Sequence, residues 1–425
     1  MAVRNLLSAA PTERVGRYPK HTFRINSQPF HIQPFFTAPV LAGETLTNLH
    51  FEARAVSDPV LNKIIGWKKE YYFFYCRMSI LGVQAFKDMF VDPVNTDLTA
   101  TYGIAGNTIP FYGAKGGINW TVYGYNKIID HYFRDLGTSS ADYKEGNGIC
   151  YAQIRENTWM DSMTDSVDMP EGANIAGATD AGDLDRLMDA FEQLRALGMT
   201  RMTYEDFLRG YGIAVPEQDE GKPELIARFT DWQYPSNTVT QGTGVVTSAL
   251  SWVFKNSERK PLFFREPGFI IGVTVTRPKV YFSGLAGQAV GFMSRAWDWA
   301  PNYLEDMPEV TLKNFAADAG PLGDRTAAQN SIFVDMRDLL LHGDQWHNVQ
   351  AFDVGLVGNY ADHMLPLPPV DPSAGAWKYP NLAMSKGFFV DAGGTKYYVR
   401  EDGYVSLSIK GKQVDYTQSS IGVNL

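Results

Sequence analysis

Residues 266–282 carry the clearest hydrophobic pattern in the chain. After the turn residues Pro267 and Gly268 come Phe269, Ile270, Ile271, Val273, Thr274, Val275 and Thr276, then Val280, Tyr281 and Phe282. β-Branched and aromatic side chains at this density fit a pleated, half-buried strand and penalise a helix. Residues 66–78 repeat the pattern with Tyr71, Tyr72, Phe73, Phe74 and Tyr75. If the two strands share one sheet system, the chain between them is a large excursion hung on a β scaffold.

The pattern around these strands sorts the chain into four parts. Residues 1–28 read as a basic N-terminal arm, in which Arg4, Arg14, Arg17, Lys20 and Arg24 face only Glu13. Such an arm is either a solvated terminus or a contact for phosphate or a neighbouring subunit. Residues 29–79 read as three strands of an antiparallel meander. In the first, over 30–36, Pro34 predicts a sheet edge or a bulge. In the second, over 44–56, Leu46 lies on one parity and Leu49, Phe51, Ala53 and Ala55 on the other, so one bulge is expected before Asp58-Pro59 ends the element. The third is 66–78.

Residues 80–245 form the large inserted excursion, with helices expected at about 183–197 and 203–210. In the first helix Leu184, Leu187, Met188, Phe191 and Leu194 share one face, with Asp183 and Gly198 placed as caps. In the second, Thr203 and Asp206 have capping-box spacing. Residues 246–425 return to strands, interrupted by long loops over about 295–380. Sheet character is read at 244–254, 387–390, 396–399 and 404–409, with Asp391 to Gly394 and Asp402-Gly403 as turns.

Composition narrows the function. The chain has 425 residues, 44% hydrophobic and 20% charged, which is normal for a folded protein and argues against disorder. Its 25 Phe, 22 Tyr and 9 Trp suit sheets and protein interfaces, where large rings bury the most area. A formal charge of −9 does not fit a free-standing nucleic-acid binder, so contact with a polyanion would need a local patch or a basic partner. Cys76 and Cys150 cannot build a disulfide framework and suit a reducing compartment. No uninterrupted apolar run is long enough to span a membrane, and no membrane insertion is expected.

No catalytic signature stands out: the chain lacks a Gly-x-Ser-x-Gly elbow and a Walker A loop. His342, Asp344, His347 and His363 are the only metal cluster worth weighing, and His342 and His347 are five apart, which does not put both on one helical turn. No catalytic, cofactor or metal site is therefore expected, and the chain reads as a protein that is not an enzyme.

Residues 20–80 and 262–303 resemble the major capsid proteins of the Microviridae, small tailless bacteriophages with circular single-stranded DNA. The resemblance rests on an ordered series. His21 to Leu41 precedes Gly43-Glu44-Thr45-Leu46, then Phe51-Glu52-Ala53-Arg54-Ala55 and the Asp58-Pro59 break. Tyr71 to Tyr75 leads into Arg77-Met78, and much later residues 266–278 are followed by Ser294-Arg295-Ala296-Trp297-Asp298-Trp299. The clear match covers about a quarter of the chain and is closer to the gokushovirus side of the family.

The resemblance implies a mainly β fold, a single eight-stranded antiparallel jelly roll with long inserted loops containing a few helices. It implies a virion shell protein, assembled in the bacterial cytoplasm as a T=1 icosahedron of sixty identical subunits around the single-stranded genome. Further implied partners are a small basic DNA-binding protein, an internal scaffolding protein and a DNA pilot protein. In that setting Arg4, Arg14, Arg17, Lys20 and Arg24 are the expected nucleic-acid contacts, facing inward. The alternative is a β-sandwich carbohydrate-binding protein or glycosidase, with Trp297 and Trp299 stacking on sugar rings.

Overall fold

A computed structural model of the protein describes residues 15–61, 65–81, 118–134, 140–154, 221–239, 246–282, 299, 312–314, 333–335, 364–365, 379–391 and 393–411. In chain order its strands are β1 (Val15–Arg17), β2 (Lys20–Ser27), β3 (His31–Val40), β4 (Thr45–Ser57), β5 (Trp67–Arg77), β6 (Cys150–Tyr151) and β7 (Glu224–Gln233). They continue with β8 (Ser236–Val239), β9 (Val246–Ala249), β10 (Ser251–Glu258), β11 (Leu262–Phe263), β12 (Gly268–Pro278) and β13 (Tyr281–Phe282). The last are β14 (Leu312–Asn314), β15 (Phe333–Asp335), β16 (Met364–Leu365) and β17 (Val399–Gly411). Among the described residues three helices accompany them, α1 (Trp120–Tyr132), α2 (Ser140–Tyr143) and α3 (Leu382–Gly387), with a 3₁₀ turn at Met78–Leu81.

Two antiparallel sheets face each other. One has the order β2-β17-β4-β10, with β1 continuing the β2 edge along β17 and β11 extending β10 along β4. The other has the order β6-β3-β12-β5-β7. The pairing is nested: the outermost long strands β2 and β17 pair, inside them β3 with β12, then β4 with β10, and innermost β5 with β7. The strands that opened the sequence reading, β5 and β12, are direct neighbours, in register from Trp67 opposite Pro278 to Arg77 opposite Gly268.

The burial pattern follows from what lies on each sheet's outer face. β5 and β12 are buried at almost every position, as expected for strands covered on both sides. α1 roofs their outer face with Gly124, Tyr125, Ile128 and Ile129 buried on one side of the helix. Tyr132 packs on Phe74, and Phe133 meets Tyr72 edge-on. The Tyr125 hydroxyl donates to the Ile32 carbonyl and accepts from the Cys150 amide, fixing the roof to β3 and β6. β2, β4, β10 and β17 instead alternate between buried and more exposed positions, so one face of that sheet is open. Between the sheets, Phe51 lies at the centre of a ring cluster with Phe35, Tyr71, Phe73, Phe229 and Phe254.

The bulge expected in β4 is present, and of the sheet edge or bulge expected at Pro34 the strand shows a bulge. β4 steps from Asn48 opposite Ser408 to Leu46 opposite Ile409, leaving Thr47 as the extra residue. β3 steps from Phe36 opposite Gly272 to Pro34 opposite Val273, leaving Phe35 between them. Other expectations need correction. Residues 15–27 of the expected basic arm belong to the sheet instead, as β1 and β2 beside β17, with Phe23 and Ile25 alternating with polar residues and packing inward. The excursion returns to the scaffold before residue 245, since Glu224–Gln233 is the edge strand beside β5. Residues 387–390 give a single bridge, Val60 to Phe389, after α3. Asp402-Gly403 is no turn: β17 runs straight through it, and Gly403 is needed because a Cβ there would lie 2.3 Å from the Glu52 carbonyl oxygen. The helices expected at 183–197 and 203–210 lie outside the described residues, as does nearly all of 295–380.

Candidate functional site: the open face of the six-stranded sheet

Strand register sets sixteen outward side chains into four rows. Across β2, β17, β4 and β10 the rows read Lys20, Ser406, His50, Ser257; then Thr22, Tyr404, Glu52, Lys255; then Arg24, Asp402, Arg54, Val253; then Asn26, Arg400, Val56, Ser251. Neighbours sit about 5 Å apart across strands and about 7 Å along them. Five cations, Lys20, Arg24, Arg54, Lys255 and Arg400, share this face with two carboxylates, Glu52 and Asp402. The face is thus net positive on a chain whose formal charge is −9. Lys410 continues it two rows on, beyond Ser408 and Asn48, opposite Thr45, and Phe263 flanks Thr45 on the other side.

Local bonds order part of the grid. His50 Nε2 lies 3.0 Å from Glu52 Oε1, and its Nδ1 lies 2.7 Å from Ser257 Oγ. The hydrogen bond from His50 holds the Glu52 carboxyl below its ordinary pKa. Lys255 Nζ is 3.4 Å from Glu52, with its side chain three-quarters exposed. The Lys20 ammonium stands 3.9 Å over the Tyr404 ring, a cation–π contact that lays the lysine along the sheet. Arg400 pairs with Asp58 at the end of β4. Arg24 and Arg54 flank Asp402 and are exposed, and neither makes an ion pair among the described residues.

The four arginines and one lysine read from the sequence fall into three groups. Arg4 and Arg14 lie outside the described residues. Arg17 is bound within the fold: its Nε donates to Glu44 Oε1 at 2.7 Å and its Nη2 to Oε2 at 2.6 Å, and Nη2 also reaches the Pro39 carbonyl. Lys20 and Arg24 lie on the open face of β2. Arg54, Lys255 and Arg400 join them there. Sequence reasoning missed these three because the strands that carry them are separated by up to hundreds of residues and only register brings them together. The available signal was their place on the polar parity of alternating strands.

The interior offers chemistry of another kind. Lys69 and Glu401 are both fully buried, with Nζ 2.5 Å from Oε1. Ser27 and Tyr71 donate to the same carboxylate, and Lys69 also bonds Thr276. On the far side of β5, buried Glu70 gathers Lys68, Arg228 and Arg277, and accepts from the Tyr72 hydroxyl. The Lys69–Glu401 cluster is sealed and its carboxylate is met by three donors, which suits a structural tie rather than turnover, while in the second cluster Arg228 reaches solvent. Cys76 and Cys150 are free and buried, and burial pushes the Cys150 thiol up to about 11, away from nucleophile chemistry. No group of His, Cys, Asp and Glu arranged to hold a metal occurs among the described residues. His342, Asp344, His347 and His363 lie outside them. No helix among the described residues is long and apolar enough to cross a membrane.

Comparison with known protein families finds no matching family, and comparison with curated proteins finds no similar sequence.

Proposed function

We infer that this chain is the major capsid protein of a small icosahedral single-stranded DNA bacteriophage of the Microviridae, a subunit whose work is to tile with identical copies. The nested strand pairing carries the reading. Eight long strands paired first-to-last, second-to-seventh, third-to-sixth and fourth-to-fifth, split over two facing sheets, match a jelly roll of two Greek keys. That fold serves viral shells because the two sheets leave little exposed strand edge while loops of any length leave from their ends.

Here two long connections leave from opposite ends of the sandwich. Residues 78–223 depart beside Arg77 and return at Glu224, and residues 279–398 depart beside Pro278 and return at Val399. Long excursions on a rigid scaffold supply the surface that neighbouring subunits need. A shell built from heterologous contacts around rotation axes needs interfaces of roughly 1,200–2,000 Å².

The test is assembly. The full chain, alone and with the scaffolding protein of the same genome, is examined by sedimentation velocity and electron microscopy. Closed particles of uniform diameter support the reading, and a monomer under every condition overturns it. Lectins also use this fold, and Trp299 is 68% exposed. A glycan-array signal lost in Trp299→Ala, from a protein that never assembles, would favour the carbohydrate-binding alternative.

A further inference from the structure

One corner of the open face carries more than charge. Ser257 on β10, His50 and Glu52 on β4 and Tyr404 on β17 stand side by side in its first two rows. Ser257 Oγ lies 2.7 Å from His50 Nδ1, His50 Nε2 lies 3.0 Å from Glu52 Oε1, and the Tyr404 hydroxyl is 3.4 Å from the same Nε2. The hydrogen bond from His50 keeps the Glu52 carboxyl below its ordinary pKa, so it stays ionised and holds a proton on Nε2. That tautomer turns the Nδ1 lone pair toward the Ser257 hydroxyl. A hydroxyl against a base, with the base oriented by a third group, is the arrangement that activates a serine. Ser257 is itself exposed. No motif along the chain announces the cluster, because only strand register joins residues 50 and 257.

We propose that Ser257, His50 and Glu52 form an acyl-transfer site for activated esters, with Ser257 as nucleophile, His50 as its base and Glu52 positioning the imidazole. Ser257 Oγ attacks the ester carbonyl carbon while its proton passes to His50 Nδ1. The bond to the leaving oxygen breaks, and that oxygen takes the proton from Nδ1. Solvent water then attacks the acyl-serine, its proton returns through Nδ1 to Oγ, and the carboxylic acid departs. Lys255, two residues along β10 on the same face and three-quarters exposed, is the cation beside Ser257 for the developing oxyanion. A lysine on a flexible stem stabilises that charge less than fixed donors do. The substrates are therefore esters whose leaving group needs little help, such as aryl esters. The site belongs to the single subunit and does not rest on the shell reading.

The experiment treats the unassembled full chain with a fluorophosphonate probe, in which a serine–phosphorus bond replaces the P–F bond and fluoride leaves. Peptide mass spectrometry follows the adduct at each serine over time. Ser251 is the internal control: it is exposed on the same face of β10, but its cross-strand neighbour is Val56 rather than an imidazole. Ser257 is expected to react at least about a hundredfold faster, the lower end of what a positioned base contributes. His50→Gln is expected to bring Ser257 down to the rate of Ser251. Glu52→Gln is expected to give an intermediate rate, with the acid limb of the pH–rate profile moved to lower pH because the imidazolium loses its anionic neighbour. Release of p-nitrophenol from p-nitrophenyl acetate should fall in Ser257→Ala in parallel. Equal rates at Ser257 and Ser251 in the parent chain overturn the proposal without any variant. So does a Ser257 rate that His50→Gln leaves unchanged, or an acid limb that Glu52→Gln does not move.

Discussion

Lys69 on β5 and Glu401 on β17 come from opposite sheets and meet inside the sandwich, Nζ to Oε1 2.5 Å, with neither side chain reaching solvent. Burial lowers the lysine pKa while Glu401 pulls it back up, so the pair holds only as a unit. Ser27, Tyr71 and Thr274 donate to the same carboxylate, so three more strand positions are fixed by one residue. Removing one partner strands a buried charge, and Lys69→Met is expected to cost about 3–5 kcal/mol. In Glu401→Leu the hydroxyls of Ser27 and Tyr71 also lose their acceptor, each worth about 1–3 kcal/mol. The double variant is expected to lose less than the sum of the two singles. Guanidinium unfolding of the unassembled subunit, read as a double-mutant cycle, checks this. Additive losses would mean that the pair does not couple the sheets.

Alkaline pH attacks the same interior. Burial raises the phenol pKa of Tyr71 and of Tyr125 well above its ordinary value, and the Glu401 charge adds to this at Tyr71. Tyr75 and Tyr151 are pushed the same way by burial. A group whose folded pKa exceeds its unfolded one gives its full stabilisation below about pH 10, and that contribution is lost as pH rises through the folded value. Stability is therefore expected to fall steeply above about pH 10. Tyrosinate absorbance should then show two populations, one titrating freely and one appearing only as the circular dichroism collapses. A single smooth titration that precedes unfolding would contradict the sealed environment of these rings.

The scaffold was largely legible from the chain because its strands obey local rules. The bulge at Thr47 shows in the parity change between Leu46 and Leu49, and the pairing partners β5 and β12 show in their aromatic and β-branched runs. Elements whose apolar pattern is diluted were not legible. β2 hides Phe23 and Ile25 among Lys20, Arg24 and Asn26, so charge masked the alternation. α1 is built from Trp120, Thr121, Val122, Tyr123, Gly124 and Tyr125, poor helix formers held helical by packing on the sheet. The candidate binding face was half visible. Lys20 and Arg24 stood out as a basic run, but their companions Arg54 and Lys255 are set beside them by register alone.

Two glycines separate backbone crowding from side-chain crowding. At Gly403 an added Cβ would meet the Glu52 carbonyl oxygen at 2.3 Å and the Ala53 Cα at 2.8 Å, atoms of the neighbouring strand that cannot rotate away. At Gly124 the nearest atom is the tip of Ile271, Cδ1 at 2.1 Å, which can change rotamer. Gly403→Ala is expected to cost at least the ~1–3 kcal/mol typical of overpacking, and Gly124→Ala less. Thermal unfolding of both variants gives the order. An equal shift would mean that β17 can move away from β4 as easily as a methyl can turn.

Arg17 tests whether a basic residue near the N-terminus serves the fold or a polyanion. Its guanidinium grips Glu44 with two donors, and that carboxylate also accepts the Leu41 amide in the turn between β3 and β4. The Glu44 side chain is only 4% exposed, so it cannot recover full hydration if the arginine goes. Arg17→Gln is expected to destabilise the subunit by about 1–3 kcal/mol, the cost of leaving a buried acceptor short of its partner. Because the fork is already occupied, the same variant should bind oligothymidylate with the parent's affinity and salt slope wherever it remains folded. Denaturation midpoints and anisotropy on one preparation decide between the roles. Weakened binding at unchanged stability would place Arg17 on the polymer, as its neighbours in the sequence first suggested.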